Sequence, residues 1–159
     1  MKIDLKKGNT ASRQEIVALE RTLGESLPSE FIDFVAQHDG AEPETNIFKI
    51  ETTESGVNEF IPVKAIPREM KLIENLPGRA FPVAWAEGGN YVLLNLGAGG
   101  AIFFWDHERP ENIVRLASSF RSFLESLEPF DINSIKLKPG QVQKAWIDPN
   151  FLKSLQGLT

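Results

Sequence analysis

Residues that can do chemistry are few in this chain, and the densest group is Asp106-His107-Glu108, an imidazole between two carboxylates. Such a trio could serve acid–base catalysis or supply ligands to a metal. Adjacent residues at a strand end point in different directions, however, and a metal would need further ligands from elsewhere. The only other histidine, His38, falls on the inward side of a predicted helix, where a hydrogen-bonded core or rim ring is the expectation. Ser55, in Glu54-Ser55-Gly56, lacks the Gly-x-Ser-x-Gly elbow of a nucleophilic serine. Gly97-Ala98-Gly99-Gly100 has the glycine density of a phosphate cradle, but Ile102 stands where a third glycine belongs and a strand follows. A hairpin turn is expected there, and equally at Glu87-Gly88-Gly89-Asn90, with recognition as a second role for the latter loop. Cysteine is absent, which excludes disulfides, thiolate zinc sites, iron–sulfur clusters and a cysteine nucleophile. Catalysis is therefore not expected, and no cofactor or metal is called for.

The charge is more informative. The 159 residues sum to −5, but residues 15–59 hold eleven acids against only Arg21 and Lys49, a local net of −9. Residues 1–13 are basic, with Lys2, Lys6, Lys7 and Arg13 against Asp4. A nucleic-acid binder should show a basic stripe and none is present, so direct nucleic-acid contact is not expected. The acidic segment reads as a solvated surface or as a face that attracts a basic partner and raises its on-rate. The longest apolar run, residues 80–86, is seven residues and contains a proline, far below the roughly 20 needed to span a bilayer. With no apolar stretch at the N-terminus, the expectation is a soluble, cytoplasmic chain without a membrane partner.

Local patterns place these residues on elements. Length argues for one domain. Ser12-Arg13-Gln14-Glu15 has capping-box form, and Ile16, Leu19 and Leu23 recur at helical spacing before Gly24, predicting a helix over 13–23. Pro28 suits the first turn of a second helix bearing Phe31, Phe34, Val35 and His38 and closed by Gly40. Residues 47–50 and 59–61 read as short strands separated by a polar loop at 51–58, and Pro67 opens a third helix carrying Met70, Ile73 and Leu76. Residues 81–85, 91–96 and 101–105 are apolar runs with short loops, which predicts an antiparallel meander. A polar turn at 106–112 leads to a strand at 113–116, and Ser118 is expected to cap a fourth helix through Leu127 that Pro129 ends. Asp148-Pro149 predicts a short closing helix before Phe151, Leu152 and Leu155. Trp85, Trp105 and Trp146 are packing residues or interface anchors. The element order argues for an α+β fold, a mainly antiparallel sheet with helices packed around it.

Several of these pieces together resemble the SUKH superfamily, in its Smi/Knr-like cell-wall-assembly regulator group. They are Glu20 to Gly24 followed by Leu27-Pro28, then Phe31, Phe34-Val35 and Gly40; Phe81-Pro82-Val83-Ala84 with Glu87-Gly88-Gly89-Asn90; Ile102-Phe103-Phe104-Trp105-Asp106-His107-Glu108; and Phe120 to Leu127. Asp39-Gly40 stands where the group usually has Asn-Gly, a change that turn geometry tolerates. The resemblance covers about residues 13–127, and divides the chain into a basic arm at 1–12, a SUKH-like domain at 13–127 and an extension at 128–159 packing on the same domain. It implies the α+β fold and a non-enzymatic binding role. Most bacterial members look like immunity proteins that neutralise toxin domains, often nucleases, of polymorphic or contact-dependent systems; fungal relatives regulate cell-wall synthesis.

An acidic binder is a sensible inhibitor of a nuclease, whose cleft must attract phosphate and so presents basic surface. Acids in loops and at element ends, Asp39, Glu42, Glu44, Glu87, Asp106 and Glu108, with His107 and with Asn90 as a neutral hydrogen-bonding member, are the expected docking face. The competing readings are a cytoplasmic regulator or scaffold that binds a non-toxin client, and a hydrolase built on Asp106, His107 and Glu108. A monomer or weak homodimer is expected, since an exposed sheet edge could pair two copies.

Overall fold

The computed structural model describes residues 3–131. The predicted closing helix after Asp148, together with Trp146, lies outside the described residues. The described chain runs β1 (Leu5–Lys6), α1 (Arg13–Leu23), α2 (Ser29–His38), β2 (Glu42–Pro43), β3 (Ile47–Ile50), β4 (Thr53–Phe60), α3 (Ile66–Met70), β5 (Ala80–Ala86), β6 (Asn90–Asn95), β7 (Ala101–Asp106), β8 (Arg109–Ala117) and α4 (Phe120–Ser126). Strands β3 to β8 form one antiparallel meander in sequence order, while β1 and β2 make a two-stranded ribbon beside it. This is the α+β architecture that the sequence predicts.

The first helix forms as its capping signals require. The Ser12 hydroxyl accepts from the Glu15 N–H and the Glu15 carboxylate accepts from the Ser12 N–H, while Gly24 at φ +72° closes the far end. Helix α2 follows with Pro28 at its N-cap rather than inside its first turn. The fourth helix is capped by Ser119, one residue later than predicted, and ends at Ser126, ahead of Pro129.

Three further boundaries differ from expectation. The loop predicted at 51–58 is a turn of two residues, because β4 starts at Thr53 and pairs from Ile50↔Thr53 onward. Its exposed polar residues hide the strand periodicity, and Glu51 at φ +52° makes the tight reversal. The polar turn expected at 106–112 is likewise only His107-Glu108, since Arg109 already pairs with Asp106 and β8 takes in the polar residues to Asn112. The third helix stops after one turn at Met70 instead of reaching Leu76. Asn75 and Arg79 adopt positive φ, and Trp105 Nε1 on β7 donates to the Glu74 carbonyl at 3.0 Å, holding residues 71–79 as an irregular cover.

Residues directly opposite across paired strands share a face. One row runs Phe60, Ala84, Val92, Phe104 and Val114, and helices α2 and α4 cover this face. There the phenylalanines interlock edge to face: Phe34 meets Phe60 at 4.8 Å and Phe120 at 5.1 Å, and Phe31 meets Phe120 at 5.2 Å and Phe81 at 5.5 Å. The opposite row runs Glu59, Trp85, Tyr91, Trp105 and Ile113, and the 63–79 segment lies over it. The end strands β3 and β8 approach each other, so the sheet curls.

Candidate functional site

The expected docking residues fall into two groups. The first lies at the sheet end where the β5–β6 and β7–β8 turns meet. Gly88 and Gly89 take φ +74° and +81°, conformations that disfavour any side chain, and they reverse the chain into Asn90. Asn90 Oδ1 accepts the backbone N–H of His107 at 3.0 Å and lies 2.8 Å from His107 Nδ1. The Asp106 carboxylate accepts the Glu108 N–H at 2.9 Å, which tightens the turn, and stands 4.0 Å from His107 Nδ1. The sequence-predicted trio and Asn90 are therefore one hydrogen-bonded unit. Glu87 leaves the same turn toward β4, where its carboxylate and the Asn46 amide lie over Gly56: a Cβ on Gly56 would come within 2.9 Å of Glu87 Oε1 and 3.0 Å of Asn46 Nδ2.

The second group lies around β2. Residues 41–46 run beside β4 through Phe60 N–H to Ala41 O and Val57 N–H to Asn46 O, both 2.9 Å. On this ribbon Glu42 pairs with Lys7 at 2.7 Å and Glu44 with Lys6 at 2.6 Å. Each carboxylate raises its lysine's pKa, chiefly by the hydrogen bond it accepts. Such exposed pairs contribute little stability and weaken with salt. The N-terminal lysines thus already sit on two of the expected docking acids.

Asp39 is placed differently from its expected exposed position. It is 7% exposed, and its Oδ1 accepts the Val63 N–H at 2.9 Å. Loss of hydration pushes its carboxyl up, against the opposing pull of the Val63 N–H, and Glu15 adds to the rise. Glu59, which the sequence did not single out, is raised by burial and then by Glu42. Asp39, Glu59 and Glu15 line one cleft of about 220 Å³, with Lys64 beside them. Glu59 opens the short strand predicted at 59–61, but its neighbours in the cleft come from α1 and from the Asp39 turn, which a strand pattern does not signal.

Several of the remaining acids of the 15–59 segment are engaged by separate partners in the fold rather than gathered on one surface. Glu20 accepts the Leu27 N–H at 2.9 Å, Glu30 accepts the N–H of Phe120 at 3.0 Å, and Glu25 pairs with Arg79. Sequence reasoning also missed Glu69 on α3. This buried carboxylate accepts from Tyr91 Oη at 2.5 Å and Trp85 Nε1 at 3.1 Å, with Arg68 Nε at 3.7 Å. Burial and then the Glu69 contact push the Tyr91 hydroxyl up to about 12. Only a residue spacing that brings α3 under β5 and β6 reveals this acid, and no local motif signals it. His38 is half-buried against Phe34, ring centroids 5.5 Å apart, and Ser55 is buried. Among the described residues no cluster of three or more His, Asp and Glu side chains could hold a metal ion, and no helix is long and apolar enough to cross a membrane.

A six-stranded antiparallel meander with α2 and α4 on one face and the 63–79 segment, α3 included, over the other defines an α+β domain, and its expected docking side chains sit mainly on the β5–β6 and β7–β8 turns and along the β2 ribbon. The family model described as SMI1 / KNR4 family (SUKH-1) matches residues 10–126, and the chain belongs to that family. No curated protein matches the chain.

Proposed function

We propose that this chain is a non-enzymatic immunity protein of the cytoplasm, binding and neutralising a cognate toxin domain whose surface is basic. Membership of the SMI1 / KNR4 family supports a binding role. The observation that carries the proposal is the gathering of Glu15, Asp39 and Glu59 around one cleft that Lys64 also lines, with Asp39 and Glu59 held above their ordinary carboxylate values chiefly by burial. A partner's cation compensates for that lost hydration, and the excess of negative charge speeds encounter. Glu87, Asp106 and Glu108 extend the attraction from the β5–β6 and β7–β8 turns, Glu42 and Glu44 join it where a partner's cations displace the exposed Lys7 and Lys6, and His107 and Asn90 add hydrogen bonds; Asp39 acts from beneath the surface. Neither nucleic acid nor membrane is contacted directly, and the chain acts as a monomer or weak homodimer.

The test is co-purification with the C-terminal domain of a large secreted protein encoded beside the gene, followed by calorimetric titration. A tight one-to-one complex that silences the domain is the expected result. Absence of binding would overturn the immunity role and turn attention to a regulatory client.

A further inference from the structure

We infer that Asn90 presets His107 as a hydrogen-bond acceptor for a cationic donor, a lysine or arginine side chain, on the docking partner. This deepens the function proposed above and rests on it.

The inference starts from a group whose role admits no choice. The backbone N–H of His107 can only donate, and its acceptor at 3.0 Å is the side-chain amide of Asn90. The amide atom facing His107 is therefore the oxygen, which fixes the orientation of the whole Asn90 side chain. That same oxygen stands 2.8 Å from His107 Nδ1. Two lone pairs at this separation repel, so Nδ1 carries the ring proton and donates it to Asn90. In the neutral imidazole only one nitrogen is protonated, so Nε2 presents a bare lone pair.

The ring lies beside the β5–β6 turn, where a Cβ on Gly89 would be 3.8 Å from Nδ1, and the side chain is 48% exposed. Among the described residues Nε2 has no hydrogen-bond partner. Asp106 and Glu108 flank the ring in sequence, and the Asp106 carboxylate lies 4.0 Å from Nδ1. The lone pair and the flanking carboxylates are acceptors, with the Asn90 amide N–H groups as the donor beside them, so it is the negative charge of the turn that favours a cationic donor. A guanidinium or an ammonium donates to the lone pair while its charge is drawn by the flanking carboxylates. Asn90 is thus a positioning residue, and His107 the contact it aims.

Long-range proton–nitrogen NMR of the nitrogen-15-labelled protein, above the titration range of histidine, reads the tautomer directly. His107 is expected in the Nδ1–H form, and Asn90→Ala is expected to release it into a mixture of both forms; an Nε2–H ring in the unaltered protein would overturn the inference. Titration with a tetra-arginine peptide then reads the contact. The Nε2 resonance should move to saturation, with peptide affinity reduced about three- to tenfold in Asn90→Ala and in His107→Ala. His107→Gln, which returns an amide oxygen near the position of Nε2, should recover part of that loss. If the peptide shifts amides around Glu42 and Glu59 and leaves Nε2 unmoved, the preset acceptor is wrong while the acidic docking face stands. If it shifts neither region, both the acceptor and the docking face fail.

Discussion

Tyr91 on β6 donates its hydroxyl proton to the buried carboxylate of Glu69 on α3 at 2.5 Å, tying the short third helix to the centre of the sheet. Trp85 on the neighbouring strand supplies a second bond to the same oxygen at 3.1 Å, so one acid gathers two aromatic residues from two strands. Tyr91→Phe removes the shorter bond and leaves the carboxylate underserved in a buried place. The expected cost is about 1.5–3 kcal/mol, the range for a bond to a charged group, read from the urea unfolding midpoint. A loss below a few tenths of a kcal/mol would show that water replaces the hydroxyl freely.

Asp39 gives a pH dependence whose sign follows from burial. Its folded carboxyl is raised above the ordinary 3.8, so from about pH 4 upward to the raised value the folded chain holds more protons than the unfolded one. Its stabilising contribution is complete below the unfolded value and is lost as pH rises through the folded value. Asn at this position keeps an acceptor for the Val63 N–H and never ionises. Asp39→Asn should therefore equal or exceed the unaltered protein in thermal midpoint at neutral pH, with the gap closing as pH falls below 4. A gap that widens on acidification would contradict the direction of the shift.

Gly56 is required by what lies above it and not by its own backbone, since it is absent from the positive-φ glycines. Gly56→Ala should push the Glu87 carboxylate aside and strain the 3.1 Å bond that Asn46 Nδ2 donates to the Val57 carbonyl, at a net cost of about 1 kcal/mol, because an alanine also suits a strand better than glycine. Unfolding curves measure the cost, and proton–nitrogen spectra should confine the changes to the β4 and β5–β6 turn region. A collapse in stability would mean that the carboxylate is rigidly anchored.

Phe120 touches Phe31, Phe34 and Phe60 and is fully buried, whereas Leu72 is 65% exposed. Phe120→Ala should cost about 3–5 kcal/mol by opening a cavity in the middle of the aromatic layer. Leu72→Ala should stay within about 0.5 kcal/mol. Chemical denaturation of the pair checks both, and equal losses would refute the placement of the core.

The parts legible in the sequence are those fixed by local chemistry. Ser12, Glu15 and Gly24 delimit α1 because capping is satisfied within a few residues. The meander follows from apolar runs separated by glycine turns, and Asp106 to Glu108 are drawn to Asn90 because those turns share a sheet end. The illegible parts depend on distant partners. Polar residues 53–58 become a strand because β3 and β5 flank them, and residues 71–76 fail to stay helical because Trp105 claims the Glu74 carbonyl. The pairing of Lys6 and Lys7 with Glu44 and Glu42 joins residues 35 or more apart and leaves no local trace. Burial of Asp39 follows from its contact with Val63, 24 residues away, which the Asp-Gly turn signal does not convey.

The most direct measurement is calorimetric affinity for the C-terminal domain of a large secreted protein encoded beside the gene, across a salt series, for the unaltered protein and for the triple variant Glu42→Lys, Glu44→Lys, Glu87→Lys. The account predicts a tight complex that weakens as salt rises, and a triple variant with lower affinity and a flatter salt dependence. Unchanged affinity and unchanged salt dependence in the variant would contradict an acidic docking face at these residues.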